Sequence, residues 1–115
     1  MSTVIKADDQ ASFQREVLDA AVPVVVDFWA AWCGPCRAVA PELEALANQY
    51  GPAIKVVKVD VDANQSVAAR YGIRGIPTIG LFEHGELTKQ SVGARPWHAI
   101  ESELQLTRFA TVGKK

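Results

Sequence analysis

The chain has 115 residues, 49% of them hydrophobic, with 12 basic and 13 acidic side chains and a formal net charge of −1. That is one domain of common size with enough apolar material for a core, so it needs neither a disulfide nor a metal to fold. Without a basic excess to neutralise phosphates, nucleic acid and anionic membrane are excluded as main partners. The start, Met1-Ser2-Thr3-Val4-Ile5-Lys6, shows no apolar signal-peptide core. The longest apolar run, Val22 to Ala31, is interrupted by Asp27 and too short to span a bilayer. The expectation is a soluble cytoplasmic protein. In a reducing compartment, its only cysteines, Cys33 and Cys36, suggest catalysis, redox sensing or metal binding before structural bridging.

Thr3-Val4-Ile5 reads as a short edge strand. Ser12 then caps a short helix with Phe13, Val17 and Ala21 on one face. Pro23 to Ala30 is β-branched and aromatic and apolar at nearly every position, the pattern of a central strand covered on both faces. Asp27 interrupts that pattern. A carboxylate there is costly to desolvate unless its pKa rises or a partner is near. The alternative is that Asp27 occupies a strand position facing solvent.

After Trp32-Cys33-Gly34-Pro35-Cys36, the residues Val39, Leu43, Leu46, Ala47 and Tyr50 follow helical spacing up to the stop at Gly51-Pro52. Pro41 lies inside and predicts a kink. The cysteines therefore sit where a buried strand hands over to a helix N-terminus, the carboxyl end of the strand, where α/β active sites tend to lie.

Ile54 to Val61 reads as a second buried strand, with Val57, Val59 and Val61 on one face and Val56, Lys58 and Asp60 on the other. A helix over Gln65 to Tyr71 ends at Gly72. Ile79 to Phe82 and Leu87 to Val92 make a hairpin around Glu83-His84-Gly85-Glu86. Gly80 inside a strand should weaken it locally. Pro96 suits the first turn of a last helix with Trp97, Ile100 and Leu104 as its stripe, and Thr107 to Lys115 reads as frayed. The order β-α-β-α-β-α-β-β-α predicts an α/β fold: a central mixed five-stranded sheet flanked by four helices. Residues 1–108 form the single domain, and 109–115 a flexible tail.

The chemistry centres on the cysteine pair. Cys33 at the exposed helix start is favoured as a thiolate by free N–H groups and the helix dipole, while Cys36, one turn in, is less accessible. Cys33 should attack a substrate disulfide and Cys36 resolve the mixed disulfide. Gly34 and Pro35 separate the pair, and Pro35 fixes the turn. Cys36 needs a base to lose its proton. Asp27 is the candidate, acting through water, with Lys58 on the neighbouring strand to tune it. A zinc site is disfavoured because the two histidines, His84 and His98, lack close ligand spacing. An inert structural disulfide is disfavoured by the reducing compartment. Trp29 reads as core, and Trp32 as an exposed platform for partner proteins.

Trp32-Cys33-Gly34-Pro35-Cys36 resembles the active-site motif of the thioredoxin family, and the likeness runs from about Val24 to Gly93. Val26-Asp27-Phe28-Trp29-Ala30 resembles the family's central strand, Ala40-Pro41 its kinked second helix, and Tyr71 to Thr78 its cis-proline segment. Gly85 and Gly93 fall on family glycines. The resemblance implies the thioredoxin fold and a general protein-disulfide reductase, an electron carrier in cell redox homeostasis. Cys33 is then the nucleophile, Cys36 the resolving thiol, and Asp27 with Lys58 the proton-handling pair. It also implies a cis Ile76-Pro77 bond and an apolar docking rim of Trp32, Gly75, Ile76, Pro77, Gly93 and Ala94. On this reading no cofactor or metal is bound. Electrons come from NADPH through thioredoxin reductase, and the partners of the monomer are that reductase and disulfide-containing proteins. Ala31 and Arg37 depart from the family's usual acid and lysine. The alternative function is a non-redox binding subunit of another complex, using the same docking surface.

Overall fold

The computed structural model describes residues 4–110. Five strands form one sheet: β1 (Ile5–Lys6), β2 (Val24–Trp29), β3 (Lys55–Asp60), β4 (Thr78–Glu83) and β5 (Glu86–Val92), in the order β1-β3-β2-β4-β5. β3 pairs parallel with both β1 and β2, whereas β4 runs antiparallel to β2 and to β5. The expected mixed sheet is therefore present, with β2 at its centre.

Four helices cover it: α1 (Gln10–Phe13, continuing as a π-helical turn over Gln14–Leu18), α2 (Gly34–Tyr50), α3 (Gln65–Arg70) and α4 (Trp97–Leu104). Side-chain alternation along the strands sorts the core into two layers. Val25, Val56, Ile79 and Leu81 meet Val39, Leu43 and Leu46 of α2 and Ile100 and Leu104 of α4. Val24, Val26, Phe28, Val57 and Val59 meet Phe13 and Val17 of the first helical segment and Val67 of α3. Every residue of the expected α2 stripe is buried, and Pro41 lies within the helix.

Local chemistry moved several boundaries. The first strand is Ile5–Lys6, and Thr3 lies outside the described residues. Asp9, not Ser12, caps α1. Its carboxylate accepts the Ser12 N–H at 2.7 Å, and Ser12 Oγ in turn accepts the Asp9 N–H. An Asp three residues before a Ser makes a reciprocal capping box, so the helix begins earlier than a Ser12 cap implies. It also ends at Leu18, leaving Ala21 exposed and outside the stripe. Thr107, Arg108 and Phe109 are not frayed. Leu106–Phe109 is a 3-10 turn with Leu106 fully buried, and Arg108 bonds Glu83 through both guanidinium nitrogens at 3.0 and 3.1 Å. The rest of the expected tail, residues 111–115, lies outside the described residues.

The hairpin turn places His84 and Gly85 both at positive φ, the form whose twist matches flanking strands. Gly80 has a packing reason. A Cβ there would approach Leu87 Cδ1 to 2.8 Å, with Phe28 and Phe82 also in contact. Two polar clasps fix α4. Glu42 accepts the Trp97 N–H at 2.8 Å, and the Tyr50 hydroxyl donates to Glu101 at 2.6 Å.

Leu46 joins α2 to the sheet with no exposed surface. Leu46→Ala should lower unfolding free energy by about 2–5 kcal/mol, the range for a fully buried leucine. Urea denaturation reads this as a lower midpoint at unchanged slope, and a loss under about 1 kcal/mol would contradict the packing described.

Candidate active site

β2 delivers the chain to the site. Its last residue is Trp29, and a short turn leads to Cys33, the N-cap of α2. Cys33 has extended backbone, and its Sγ accepts the Cys36 N–H at 3.2 Å, which satisfies one of the free donors at the helix start. Pro35 stands in the first turn, where its missing N–H costs nothing. Cys33 and Cys36 are joined in a disulfide with their Cα atoms 5.3 Å apart.

The expected contrast in exposure is absent in this disulfide form, where Cys33 is 4% and Cys36 3% exposed. Both pack with Ala30 against Trp29, Val61 and Ile76, so the neighbouring loop covers Cys33 although it begins the helix.

Strand parity places the two proton-handling candidates. Asp27 shares the face of Val25, and Lys58 that of Val56, both in the layer covered by α2. They are direct partners in the β2–β3 register. Cys36, Val39 and Leu43 form the buried stripe of the same helix. Asp27 is 3% exposed, which rules out the solvent-facing alternative. Burial pushes its pKa up to about 7, and the nearby Lys58 charge pulls it the other way. Asp27 Oδ1 has no hydrogen-bond partner. Lys58 forms no ion pair with it. Its ammonium lies 4.2 Å from the centre of the Trp29 ring, a cation–π placement. Trp29 is half-buried, with its indole nitrogen buried and unpartnered.

The residues expected to form a docking rim come together from three segments. Trp32 is 68% exposed, as its place in the turn implied. The Ile76-Pro77 peptide is cis, and the Ile76 carbonyl oxygen lies 3.9 Å from Cys33 Sγ. The Gly93 N–H donates to the Pro77 carbonyl at 2.8 Å, tying the end of β5 to this loop. Gly75 and Ala94 are exposed, Ile76 and Gly93 half-exposed, and Pro77 is buried, so Pro77 shapes the rim from beneath.

Two contributors escaped the sequence reading. Val92 is 59% exposed, and a Cβ on Gly75 would touch it at 4.0 Å, so it belongs to the apolar rim. Its position just before Gly93 was the available signal. Asp62 accepts the Trp32 indole N–H at 2.8 Å and holds the platform in place. Only the acids Asp60, which ends β3, and Asp62 just beyond it hinted at it. Among the described residues, no cluster of three or more His, Cys, Asp or Glu is placed to hold a metal, and no helix is long and apolar enough to cross a membrane.

Residues 4–106 match the Thioredoxin family model. The chain belongs to the thioredoxin family. It is 52% identical over 102 residues to thioredoxin 1 of Synechococcus elongatus, covering 89% of this chain and 95% of that protein. It is 51% identical over 94 residues to a thioredoxin of Porphyra purpurea, covering 82% and 88%. Thioredoxin 1 of a Nostoc species is 50% identical over 105 residues, covering 91% and 97%. The fold is the α/β thioredoxin fold. With its redox-active cysteine pair, this member of the family is a protein-disulfide reductase acting on disulfide-containing substrates. Nothing in the site favours a non-redox binding subunit.

The raised Asp27 pKa has a thermodynamic consequence. The unfolded carboxyl ionises near pH 4 and the folded one near about 7. Between those values the unfolded chain holds fewer protons, so stability falls as pH rises. The contribution is intact below the unfolded pKa and lost once pH passes the folded one. Asp27→Asn removes this dependence. Its stability relative to the wild type should climb by up to about 4 kcal/mol from pH 4 to pH 8, whatever constant offset the amide adds. Parallel denaturation curves at the two pH values would refute the burial penalty.

Proposed function

We propose that the reductase cycle divides the work between residues as follows. The Cys33 thiolate attacks one sulfur of a substrate disulfide. A Cys33–substrate bond forms, the substrate S–S bond breaks, and one substrate thiolate leaves. Cys36 then gives its proton, through water, to Asp27. The Cys36 thiolate attacks Cys33 Sγ, the internal disulfide forms, and the second substrate thiolate leaves. Two electrons pass from the dithiol to the substrate.

The observation that carries this reading is the Cys33–Cys36 disulfide at the N-terminus of α2, on the layer that also holds Asp27. Helix-start N–H groups favour a thiolate at Cys33 rather than Cys36. A carboxyl poised near about 7 is matched to taking a thiol proton at neutral pH. Lys58 tunes Asp27 by charge and is itself held over Trp29. Trp32, Gly75, Ile76, Pro77, Gly93 and Ala94 form the docking rim, where an extended substrate segment pairs with the Ile76 backbone as an added strand.

Reducing equivalents come from NADPH through a thioredoxin reductase, and the chain itself binds no cofactor. The protein acts as a cytoplasmic monomer. Its single domain comprises residues 1–108 together with Phe109, which completes the last 3-10 turn.

Insulin reduction by dithiothreitol tests the cycle. Cys33→Ser should abolish the acceleration, and Cys36→Ser should accumulate a mixed disulfide visible by mass spectrometry. Asp27→Ala should slow turnover roughly ten- to a hundredfold near neutral pH, within the lower reach of general-base catalysis. Unchanged turnover in Asp27→Ala would remove the base role. Mixed disulfide formed on Cys36 in the Cys33→Ser variant would reverse the assignment of nucleophile.

A further inference from the structure

Two exposed guanidinium groups border the proposed docking rim with no carboxylate partner among the described residues. Arg37 follows Cys36 in the first turn of α2 and donates one N–H to the Ala31 carbonyl at 2.7 Å. That bond folds the side chain back over the turn carrying Trp32 and Cys33. Arg74 immediately precedes Gly75. It lines a cavity of about 320 Å³ whose other walls include Trp32, Val61, Ala68, Ile73 and Ile76. Among the described residues, neither arginine enters an ion pair.

The other charges around the rim are already engaged. Arg95, next to Ala94, is paired with Glu103 at 2.7 Å. Asp62 receives the Trp32 indole N–H, and Asp60 receives the backbone N–H groups of Asp62 and Ala63. Glu103 thus neutralises Arg95, while among the described residues Arg74 and the donors of Arg37 not given to Ala31 meet no carboxylate. A guanidinium with several free N–H groups is suited to a carboxylate, which it grips through two parallel bonds.

We propose that Arg37 and Arg74 make the docking rim selective for disulfide segments that carry carboxylates beside the reacting cysteine. The substrate class is an acidic, extended peptide segment. Its apolar side chain enters the cavity beside Trp32, and its carboxylate meets Arg74 at the margin or Arg37 across the turn. This rests on the reductase reading and specifies which disulfides that reaction favours. Rim charges act mainly through the rate of encounter and weaken as salt rises.

The test uses the full chain in its reduced form and three peptide disulfides. They are identical except for Asp, Asn or Lys on both sides of one cysteine. Each second-order rate constant is divided by that for dithiothreitol, which removes the intrinsic effect of a flanking charge on disulfide reactivity. The Asp peptide should react about three- to tenfold faster than the Lys peptide at low salt, the scale of two exposed charge pairs. The ratio should fall towards one at high salt, an arm that needs no mutation. Arg37→Gln together with Arg74→Gln should erase the ratio and leave the Asn peptide within about twofold of the wild type, while Arg74→Glu should favour the Lys peptide. Equal normalised rates for Asp and Lys peptides, with the Asn peptide turned over, would overturn the selectivity alone. Failure to reduce any of the three would overturn the reductase reading and the selectivity with it.

Discussion

Asp27 stands between Val26 and Phe28 on the central strand, with Lys58 opposite it in register and a helix packed over both. Desolvation and the lysine charge act on it in opposite directions, and desolvation is the larger. A carboxyl in that position weakens the fold at neutral pH, because its ionised form is poorly tolerated there. The surrounding layer must therefore be tight enough to carry the penalty. Fully buried Val25, Val39, Ile79 and Ile100 share that layer with it. Local instability beside otherwise dense packing is the usual mark of a functional group.

Much of this architecture was legible because it rests on periodicity. The near-continuous apolar run of β2 announced burial on both faces, and the α2 stripe followed helical spacing residue by residue. Parity along β3 puts Lys58 and Val56 on one face from the sequence alone. What escaped depended on contacts between distant segments. The Arg108 pair with Glu83 leaves no local pattern, so the order of Thr107 to Phe109 is not legible in the sequence. Asp9 displaced Ser12 as the α1 cap because both residues are good caps, and only their reciprocal bonding decides between them.

The rim shows the same division. Trp32 was assigned to the surface from its place in a turn, and Gly75, Ile76 and Gly93 from the family pattern. Val92 was hidden because alternation in an edge strand says which residues face outward, not which of them lie beside Gly75. Pro77 proved buried because the segment it anchors is stitched to β5 through the Gly93 N–H. The segment proposed for recognition is thus mechanically joined to the cysteine site. The backbone that would receive a substrate strand is the backbone that covers Cys33.

That joining bears on how the two cysteines differ. Exposure does not separate them in the disulfide form, since both are nearly fully buried. Position along the helix does. Cys33 Sγ sits at the cap, accepts the Cys36 N–H and lies beside the Ile76 carbonyl. Cys36 sits one turn deeper, on the stripe that faces the Asp27 layer. Free N–H groups at a helix start favour negative sulfur at the cap, whereas a protonated thiol deeper in must surrender its proton before it can attack. On the proposed reading the polarity of the pair follows from where α2 begins, and Asp27, on the strand beneath that start, has a pKa raised to about 7 that suits the second step.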